Sequence, residues 1–597
     1  MKVSDAARLA IKGAVIVAFL VIGWSSSFAL AAAAGGSASA SAASAGKGGE
    51  ITLISIADIH GSLVPRPNLR GDGTSRMEGG LARMYTVIEE IRKRRKHTLL
   101  LNTGDTIQGS AEAMFTRGQA LVDVLNLFRI DVYAPGNWEF VYGTERFLEL
   151  FAGDKPLASW NTIAANLYYD GEPYATRTGE LVLPPIAVRN VGGLRVGFIG
   201  ITTRRGPQVV STAVTKGFWF TGGDDEVPLY IRVLREKLGV DLVVMLSEQE
   251  LANNIRLAET YPGVDIMFCA DMHEVTRKAI VTRTGTVIVE VGEDGTLVGE
   301  LTVKVRNGKM ERWEWKAHTI DDRIKENPRI AAAVTEVRKT FVAGPHFKQH
   351  VNPFNGTRLA RPIDTVVGYT KVPLHRAHFS HESMPAVIEG SSHDLLTDAF
   401  RHQAKADIGA IRGFRYGTHV APGPIRMEDL YRFIPIGPMI ARGTIRGQQI
   451  KNQIENAAHG SFSPRVEEWT GGWLFNFSGV TMDFDAYAAR GSRASNIRVQ
   501  RFGGSWAPLD VKATYSYASY YYAANPDRIN VVPATNISVL RDEKGNLLDA
   551  VEVVVRYLES LPGRTVNPEP DRIRLVKPLP KPQFGNPEIQ PLRGVAR

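Results

Sequence analysis

Short apolar runs alternate with amphipathic segments between residues 51 and 316, and this alternation restricts the fold more than any other feature of the chain. The runs are almost continuously apolar, which is typical of strands that are buried on both faces. Helical patterns between the runs indicate an α/β domain built in layers. The predicted strands are Ile51–Ala57, Thr98–Asn102, Asp131–Ala134, Leu194–Ile201, Asp241–Leu246, Val264–Cys269 and Thr286–Val291.

Helices are predicted where apolar residues recur every three or four positions. A linking helix, Asp321–Thr340, separates the first unit from a second unit that begins near residue 344. The other helices predicted in the first unit are Gly80–Lys96, Gln119–Phe128, Thr144–Phe151, Val227–Leu238 and Glu250–Tyr261. In the second unit, the predicted helices are Ser392–Ala404, Gly447–Ala457 and Asp549–Ser560, and the predicted strands are Met439–Ile445 and Val480–Phe484. A Pro-rich tail, residues 577–597, has no periodicity.

The N-terminus has the three-part pattern of a secretory signal. Basic residues precede an apolar stretch, Ala14–Trp24, and small residues follow it, so we expect a signal peptide over residues 1–31. A flexible linker rich in Ala, Gly and Ser is expected over residues 32–49. The chain has one cysteine, Cys269, and therefore no intramolecular disulfide. Export without disulfides suits a bacterial periplasmic protein with a large core.

Composition excludes several classes of protein. The hydrophobic content of 44% and the length of 597 residues indicate a globular chain with large cores. The net charge of +9 is scattered, and its one basic run, Arg92–Lys96, ends a predicted helix, where positive charge suits the helix dipole. We therefore expect no nucleic-acid partner. The apolar stretch near the N-terminus is short for a membrane span, although an uncleaved anchor stays an alternative. We expect a monomer.

Metal-ligating side chains follow four of the predicted strands. Asp58 and His60 are one residue apart at the end of the first strand, and Asp105 ends the second. Asn137 follows the third strand, and His273 follows the strand that ends at Cys269. Because strand ends are where α/β folds place their sites, these residues predict a centre for two divalent metals, with Asp105 bridging. Such a centre activates a water for attack on a tetrahedral substrate.

The order of these motifs resembles that of the calcineurin-like metallophosphoesterases and, among them, the 5′-nucleotidase family. That family has Asp-x-His, Gly-Asp, Gly-Asn-His-Glu, Ser-His-Asn and Gly-His-x-His in this order. The resemblance extends from about residue 51 to residue 576. It implies a four-layer metallophosphoesterase-type β-sandwich flanked by helices over residues 50–318, a linker helix over 319–343 and an α+β 5′-nucleotidase-type substrate domain over 344–576.

Three histidines of the family pattern are replaced in this chain. Trp138 replaces the histidine that protonates the leaving group, and Glu248 and Asp271 replace two histidine ligands of the second metal. Carboxylate ligands favour harder ions, so the expected metals are two divalent ions, most simply Mn²⁺. A weak or empty second site is the alternative, and the ligands could instead be Glu250 or Glu274. The metal ligands implied by the resemblance are Asp58, His60, Asp105, Asn137, Glu248, Asp271 and His273.

One segment of the chain is most similar to a particular branch of this family. Residues 136–143, Gly-Asn-Trp-Glu-Phe-Val-Tyr-Gly, are similar to Gly-His-Trp-Glu-Phe-Thr-Tyr-Gly in the SoxB family of thiosulfohydrolases, and residues 104–110, 413–418 and 471–472 are also similar. The resemblance implies that sulfate is released from a cysteine-S-thiosulfonate on a SoxYZ-type sulfur carrier protein. Because a thiolate leaves without a proton, the loss of the histidine at position 138 is chemically consistent with this substrate.

The resemblance also assigns roles in the cleft. Asp105, Asn137 and Arg415 are implied as catalytic, since the fork of Arg415 suits a sulfonate or phosphate. Trp138, Tyr416 and Arg412 would bind substrate beside Arg415. Two alternatives stay open: a 5′-nucleotidase or other phosphoester hydrolase, and a non-catalytic homologue that binds a carrier protein. Three consecutive tyrosines, Tyr520–Tyr522, are not assigned a role, because in a strand they cannot all face one way.

Overall fold

The first unit is built on two mixed sheets that face each other. The computed structural model describes residues 48–67, 76–375, 388–412, 419–463, 465, 468 and 474–578. The predicted signal peptide, the linker up to residue 47 and the tail from residue 579 lie outside these residues. In order across the first sheet, the strands are Lys309–Thr319, Leu297–Arg306, Gly48–Ala57, Thr98–Thr103 and Val132–Ala134. In order across the second sheet, they are Ile280–Val281, Val287–Glu290, Ile266–Cys269, Leu242–Ser247, Leu194–Ile201 and Ile186–Val191.

The central strands are buried on both faces, as their apolar composition predicts. Along the first strand, Ile51 and Leu53 point into the core between the sheets, whereas Ile54 and Ile56 contact helices on the outer face. The strand period of two residues produces this division. The second sheet likewise has helices on its outer face. The helices of this unit are Leu81–Arg94, Ala111–Phe115, Gln119–Leu125, Thr144–Phe151, Gly206–Val210, Glu226–Arg232, Leu251–Thr260 and Pro328–Arg338.

Among its described residues, the second unit has three sheets of three or more strands and four α-helices. Its strands are Asn476–Ser478, Ile408–Ile411, Thr514–Tyr521, Met439–Arg446 and Thr535–Val539 in one sheet, Trp506–Pro508, Ala494–Gln500, Val480–Phe484 and Ile573–Leu575 in another, and Gly423–Arg426, Val366–Thr370 and Thr565–Val566 in the third. Its helices are Ser391–Ala404, Met427–Phe433, Gly447–Phe462 and Ala550–Ser560. Small two-stranded sheets pair Arg66–Pro67 with Met77–Glu78, Leu167–Tyr169 with Phe218–Phe220, and Arg528–Ile529 with Val532–Pro533. This two-domain α/β architecture confirms the predicted fold class.

The predicted elements of the first unit are found within three residues of their expected bounds, with one exception at a helix end. The helix from Glu226 ends at Arg232, six residues before its predicted end, and continues as a π turn. The helix from Gln119 ends at Leu125 and continues as a 3₁₀ turn to Phe128. The predicted linking helix is shorter than expected, Pro328–Arg338, because Pro328 fixes its first turn. Among the described residues, every helix is too short or too polar to cross a membrane.

Several antiparallel strands were not predicted, among them Ile186–Val191, Leu297–Arg306 and Lys309–Thr319. The last of these is an edge strand, and its side chains alternate between partly buried and exposed. A polar edge strand lacks the continuous apolar run by which the central strands are recognised. Its alternation of Trp313 and Trp315 with charged residues was the available signal.

Buried ion pairs join the two units. Arg66 pairs with Glu428 at 2.9 Å and Asp429 at 2.9 Å, and Arg338 pairs with Glu112 and Glu428, at 2.6 Å each. Because these side chains are largely withdrawn from water, each pair fixes the geometry of the contact. The helix Met427–Phe433 is thereby held against the first unit, beside the cleft.

Candidate metal centre

The predicted ligands converge at the carboxyl ends of the central strands. Asp58, His60, Asp105, Asp271 and His273 all have positive φ angles, between 43° and 80°, and all are 2% exposed or less. Residues other than glycine adopt this conformation at a cost of roughly 1–3 kcal/mol, and such strain persists where the surroundings impose it. The sharp turns place each side chain back over the sheet edge, toward a shared centre.

The first ligand group combines two imidazoles and a carboxylate. Nε2 of His60 lies 3.0 Å from Nε2 of His273. Oδ1 of Asp58 lies 3.6 Å from the first of these nitrogens and 3.9 Å from the second. Atoms that share one divalent ion at about 2.0–2.2 Å lie roughly 3–4 Å apart. Nδ1 of His273 lies 2.7 Å from Glu293, a carboxylate that would orient the imidazole for metal binding.

The second ligand group is made of carboxylates. Asp58, Asp105 and Glu248 each offer an oxygen, and these atoms all lie within 4.8 Å of one another. Both oxygens of Glu248 and Oδ1 of Asn137 are buried without a hydrogen-bond donor in the part of the chain that the structure describes. Burial and the nearby charge of Asp105 raise the pKa of Glu248 well above its ordinary value. A divalent cation would satisfy all of these oxygens, so the donor set fits a second metal.

Two glycines make room for the second group. A Cβ on Gly136 would lie 2.2 Å from Oε1 of Glu248 and 2.3 Å from Oδ1 of Asp105. A Cβ on Gly104 would lie 2.6 Å from the backbone nitrogen of Gly136. These distances are shorter than any van der Waals contact, so the two Gly motifs are required by the approach of the carboxylates.

Glu139 fixes the backbone of the centre and was not predicted as a site residue. Its carboxylate accepts hydrogen bonds from the backbone N–H groups of Asp105 at 3.0 Å, Thr106 at 2.6 Å and Gly136 at 2.7 Å. The N–H of Trp138 donates to Oδ1 of Asp105 at 2.8 Å. The Gly-Asn-Trp-Glu segment therefore holds the Asp105 loop from two sides.

Asp271 lies outside both ligand groups, although it was predicted as a ligand of the second metal. Its Oδ1 accepts from Nδ2 of Asn137 and its Oδ2 accepts from Nη2 of Arg205, both at 2.9 Å. Arg205 also pairs with Glu250 at 2.5 Å, so Glu250 faces arginine rather than the centre. Arg205 was not predicted, and no motif in the sequence indicates it.

A cleft of about 1250 Å³ opens beside the centre, between the two units. Asp105, Asn137, Asp271 and His273 lie at its floor. Arginines from both units line its walls, and so do the aromatic residues Trp138, Tyr142 and Phe354. All three of the unassigned tyrosines, Tyr520–Tyr522, contribute to the wall. The lining arginines are Arg117, Arg205, Arg412 and Arg528.

Some predicted residues cannot be placed. Arg415 and Tyr416 lie outside the described residues, and so do the segments 413–418 and 471–472 that carried part of the resemblance. Arg412, which precedes the first of these segments, lines the cleft. The roles assigned to Arg415 and Tyr416 stay predictions.

The stability of the metal-free protein should fall as the pH rises above the ordinary carboxyl pKa of about 4. Burial raises the pKa of both Asp105 and Glu248, so above their ordinary pKa of about 4 the folded state binds more protons than the unfolded state. The stability present at low pH is therefore lost as the pH rises toward the raised values. Thermal melts at each pH, with EDTA or with Mn²⁺, test this.

Mn²⁺ should flatten that pH dependence, because the cation compensates the ionised carboxylates. The variant Glu248→Gln should flatten it without metal. Equal slopes of melting temperature against pH in all three samples would contradict the assignment of the carboxylate group.

Comparisons with known proteins agree with this geometry. Residues 51–275 match the calcineurin-like phosphoesterase family, and residues 366–532 match the 5′-nucleotidase C-terminal domain. The chain is 24% identical to endonuclease YhcR of Bacillus subtilis over 73% of its own length, but it spans only 34% of that protein. It is 23% identical to a probable 5′-nucleotidase of Treponema pallidum, covering 80% of this chain and 86% of that one.

Two solved structures from Thermus thermophilus have the same fold. A 5′-nucleotidase precursor superposes with a TM-score of 0.70 at 22% identity, covering 89% of this chain and all of that one (100%). The sulfate thiohydrolase SoxB superposes with a TM-score of 0.72 at 19% identity, covering 91% of this chain and 98% of that one. Members of the two matched families are metal-dependent hydrolases with a dinuclear divalent metal site. The chain thus combines a region that matches the calcineurin-like phosphoesterase family with a region that matches the 5′-nucleotidase C-terminal domain.

Proposed function

We propose that the protein is a dinuclear metal hydrolase of the SoxB type, which releases sulfate from a cysteine-S-thiosulfonate on a SoxYZ-type carrier. The observation that carries the proposal concerns the side chain that would protonate the leaving group. Among the described residues that line the cleft, His273 is the one imidazole, and it belongs to the first ligand group. Trp138, at the position of the family's proton donor, is 8% exposed and lines the cleft.

The reaction rate that is lost without a proton donor depends on the leaving group. An alkoxide leaving from a nucleotide needs a proton from a positioned acid, which contributes about 10²–10⁴-fold to the rate. A thiolate is stable near neutral pH and leaves without one. A cleft whose described lining has no imidazole outside the first ligand group therefore suits a substrate whose scissile bond ends on sulfur.

The residues of the chain then have distinct roles. Asp58, His60, Asp105 and His273 would hold the first cation, and Asp58, Asp105, Glu248 and Asn137 the second. When bound, the cations supply Lewis-acid charge for an in-line hydrolysis. Arg412, with the predicted Arg415, would bind the sulfonate oxygens, since guanidinium donors match a tetrahedral anion.

A second candidate, a 5′-nucleotidase, has support from the names of the relatives and from the aromatic cleft. The base of a nucleotide could stack on Trp138 or on the tyrosines of the second unit. Against this, the rings of Tyr142 and Phe354 stack on each other, with centroids 5.8 Å apart, which leaves no slot between that pair for a base. The N-terminal sequence pattern supports a periplasmic location, and the proposal keeps the expectation of a monomer.

The test compares substrates on the Mn²⁺-loaded protein. Sulfate release from a peptide that carries a cysteine-S-thiosulfonate is measured by ion chromatography, and phosphate release from AMP is measured at the same concentration. The proposal expects the sulfur substrate to react at least about 100-fold faster, the smallest contribution of a missing acid. Faster AMP hydrolysis would establish the nucleotidase instead, and no hydrolysis of either would favour a non-catalytic carrier-binding homologue.

A further inference from the structure

We infer that Asp271 positions Asn137 for the second cation and is not itself a ligand, and that Arg205 is the group that holds Asp271 in this role. The inference rests on the dinuclear centre of the proposed function but not on the substrate. It assigns roles to two residues for which the family pattern of imidazole ligands offers no guide.

The three side chains form a buried chain of hydrogen bonds. Asn137, Asp271 and Arg205 are 3%, 2% and 6% exposed. Each oxygen of Asp271 faces an N–H donor at 2.9 Å, from Asn137 on one side and Arg205 on the other. Hydrogen bonds to a charged partner are stronger than those between neutral groups, and they hold Asp271 in its positive-φ conformation, with φ of 80°.

This arrangement determines which atom of Asn137 is offered to a cation. An amide has one acceptor oxygen and one NH₂ group. Because the NH₂ group donates to Asp271, Oδ1 is directed away from it, and Oδ1 has no donor in the part of the chain that the structure describes. Asn137 directly precedes Trp138, whose N–H donates to Asp105. The amide oxygen is thus held beside the carboxylates of the second group.

Arg205 makes Asp271 a poor ligand. Its guanidinium already neutralises the charge of Asp271, and it is anchored on its other side by Glu250. Arg204 also pairs with Glu250, at 3.3 Å, so the anchor itself is fixed. A cation that approached Asp271 would have to displace the guanidinium or lie against its positive charge. At this position an aspartate replaces the histidine of the family pattern, and Arg205 holds that aspartate where it orients Asn137 instead of binding a cation.

A double-mutant cycle on metal affinity tests the inference. Mn²⁺ binding to the full chain is titrated by calorimetry for the wild type, Asp271→Ala, Asn137→Ala and the double variant. Loss of a residue that orients a ligand costs about 10–100-fold in metal affinity. We expect that loss for the second Mn²⁺ with Asp271→Ala, an unchanged first Mn²⁺, and no further loss when Asp271→Ala is added to Asn137→Ala.

Additive losses in the double variant would overturn the inference, because a direct ligand acts without Asn137. Asp271→Asn repeats the cycle with the side-chain volume kept, in case the alanine variant does not fold. Arg205→Lys, which keeps the charge but not the fork, should also weaken the second Mn²⁺, whereas the control Arg283→Lys, in an exposed ion pair with Glu259, should not. A wild type that binds a single Mn²⁺ would overturn the inference as well, while the sulfate-release assay judges the proposed function separately.

Discussion

The Asp105→Asn protein is expected to lose hydrolytic activity by about 10³-fold or more while its metal-free form becomes more stable. The carboxylate lies within 4.8 Å of Asp58 and Glu248 and within 4.0 Å of Nε2 of His60, so it adjoins both ligand groups. Its loss removes several kcal/mol of cation-dependent stabilisation of the transition state, and each 1.36 kcal/mol corresponds to about a tenfold rate.

The gain in stability follows from the same geometry. Burial, and then repulsion from Glu139, raises the pKa of Asp105 well above its ordinary value, so its ionised form destabilises the folded protein without metal. Asparagine keeps an oxygen that can accept the hydrogen bond from the Trp138 N–H. Bound metal, activity and the melting temperature in EDTA are measured together. The matched control is Asp123→Asn on an exposed helix position, which should change none of them.

A loss of activity together with a gain in the stability of the metal-free protein distinguishes a metal ligand from a residue that only supports the fold. A structural aspartate would lower the melting temperature when replaced. If Asp105→Asn keeps two bound metals, or melts below the wild type in EDTA, then Asp105 is not the shared ligand.

Trp138→His is expected to raise the hydrolysis of AMP by about 100-fold. The substitution places an imidazole on the cleft wall at the position from which the family protonates the leaving group, and general acid catalysis contributes about 10²–10⁴-fold. The side chain of Trp138 lines the cleft, and its backbone N–H holds Asp105, a contact that any residue retains. Phosphate release from AMP is measured across pH, since the gained rate should decline as the imidazole loses its proton.

The control is Trp138→Phe, which also shortens the ring system but adds no proton donor. It should hydrolyse AMP no faster than the wild type. The wild type and Trp138→Phe should show rates that fall steeply as the leaving group becomes more basic, and Trp138→His should show a weaker dependence. Equal AMP rates for the His and Phe variants would mean that Trp138 does not stand in the proton donor's place.

Much of the first unit follows from local sequence. The central strands are recognisable because burial on both faces demands continuous apolar residues, and the helices because one face must be apolar every three or four positions. The ligands Asp58, His60, Asp105 and His273 follow directly, since parallel strands bring their carboxyl ends to one edge. Edge strands such as Lys309–Thr319 were not predicted, because they are partly exposed and therefore lack a continuous run of apolar residues.

The neighbours of the ligands were set by long-range contacts. Glu139 holds a loop 34 residues earlier in the chain, and Arg205 reaches Asp271 across 66 residues. Neither pairing has a local spacing rule, because the hydrogen bonds depend on how two strands lie in the folded sheets. The cleft likewise requires both units, whose mutual position rests on ion pairs such as Arg66 with Glu428.

The sequence by itself determined the layered two-domain fold and placed the candidate ligands at strand ends, because both depend on patterns within a few residues of a strand. The tertiary structure decided which substituted residue faces the centre. In the sequence, Glu248 and Asp271 are both carboxylates at positions where the family has histidine. In the structure, Glu248 lies in the second ligand group, whereas Asp271 accepts hydrogen bonds from Arg205 and Asn137. The physical reason is that a carboxylate binds whichever positive charge the fold brings to it, and here the fold brings a guanidinium to one and leaves the other for a metal.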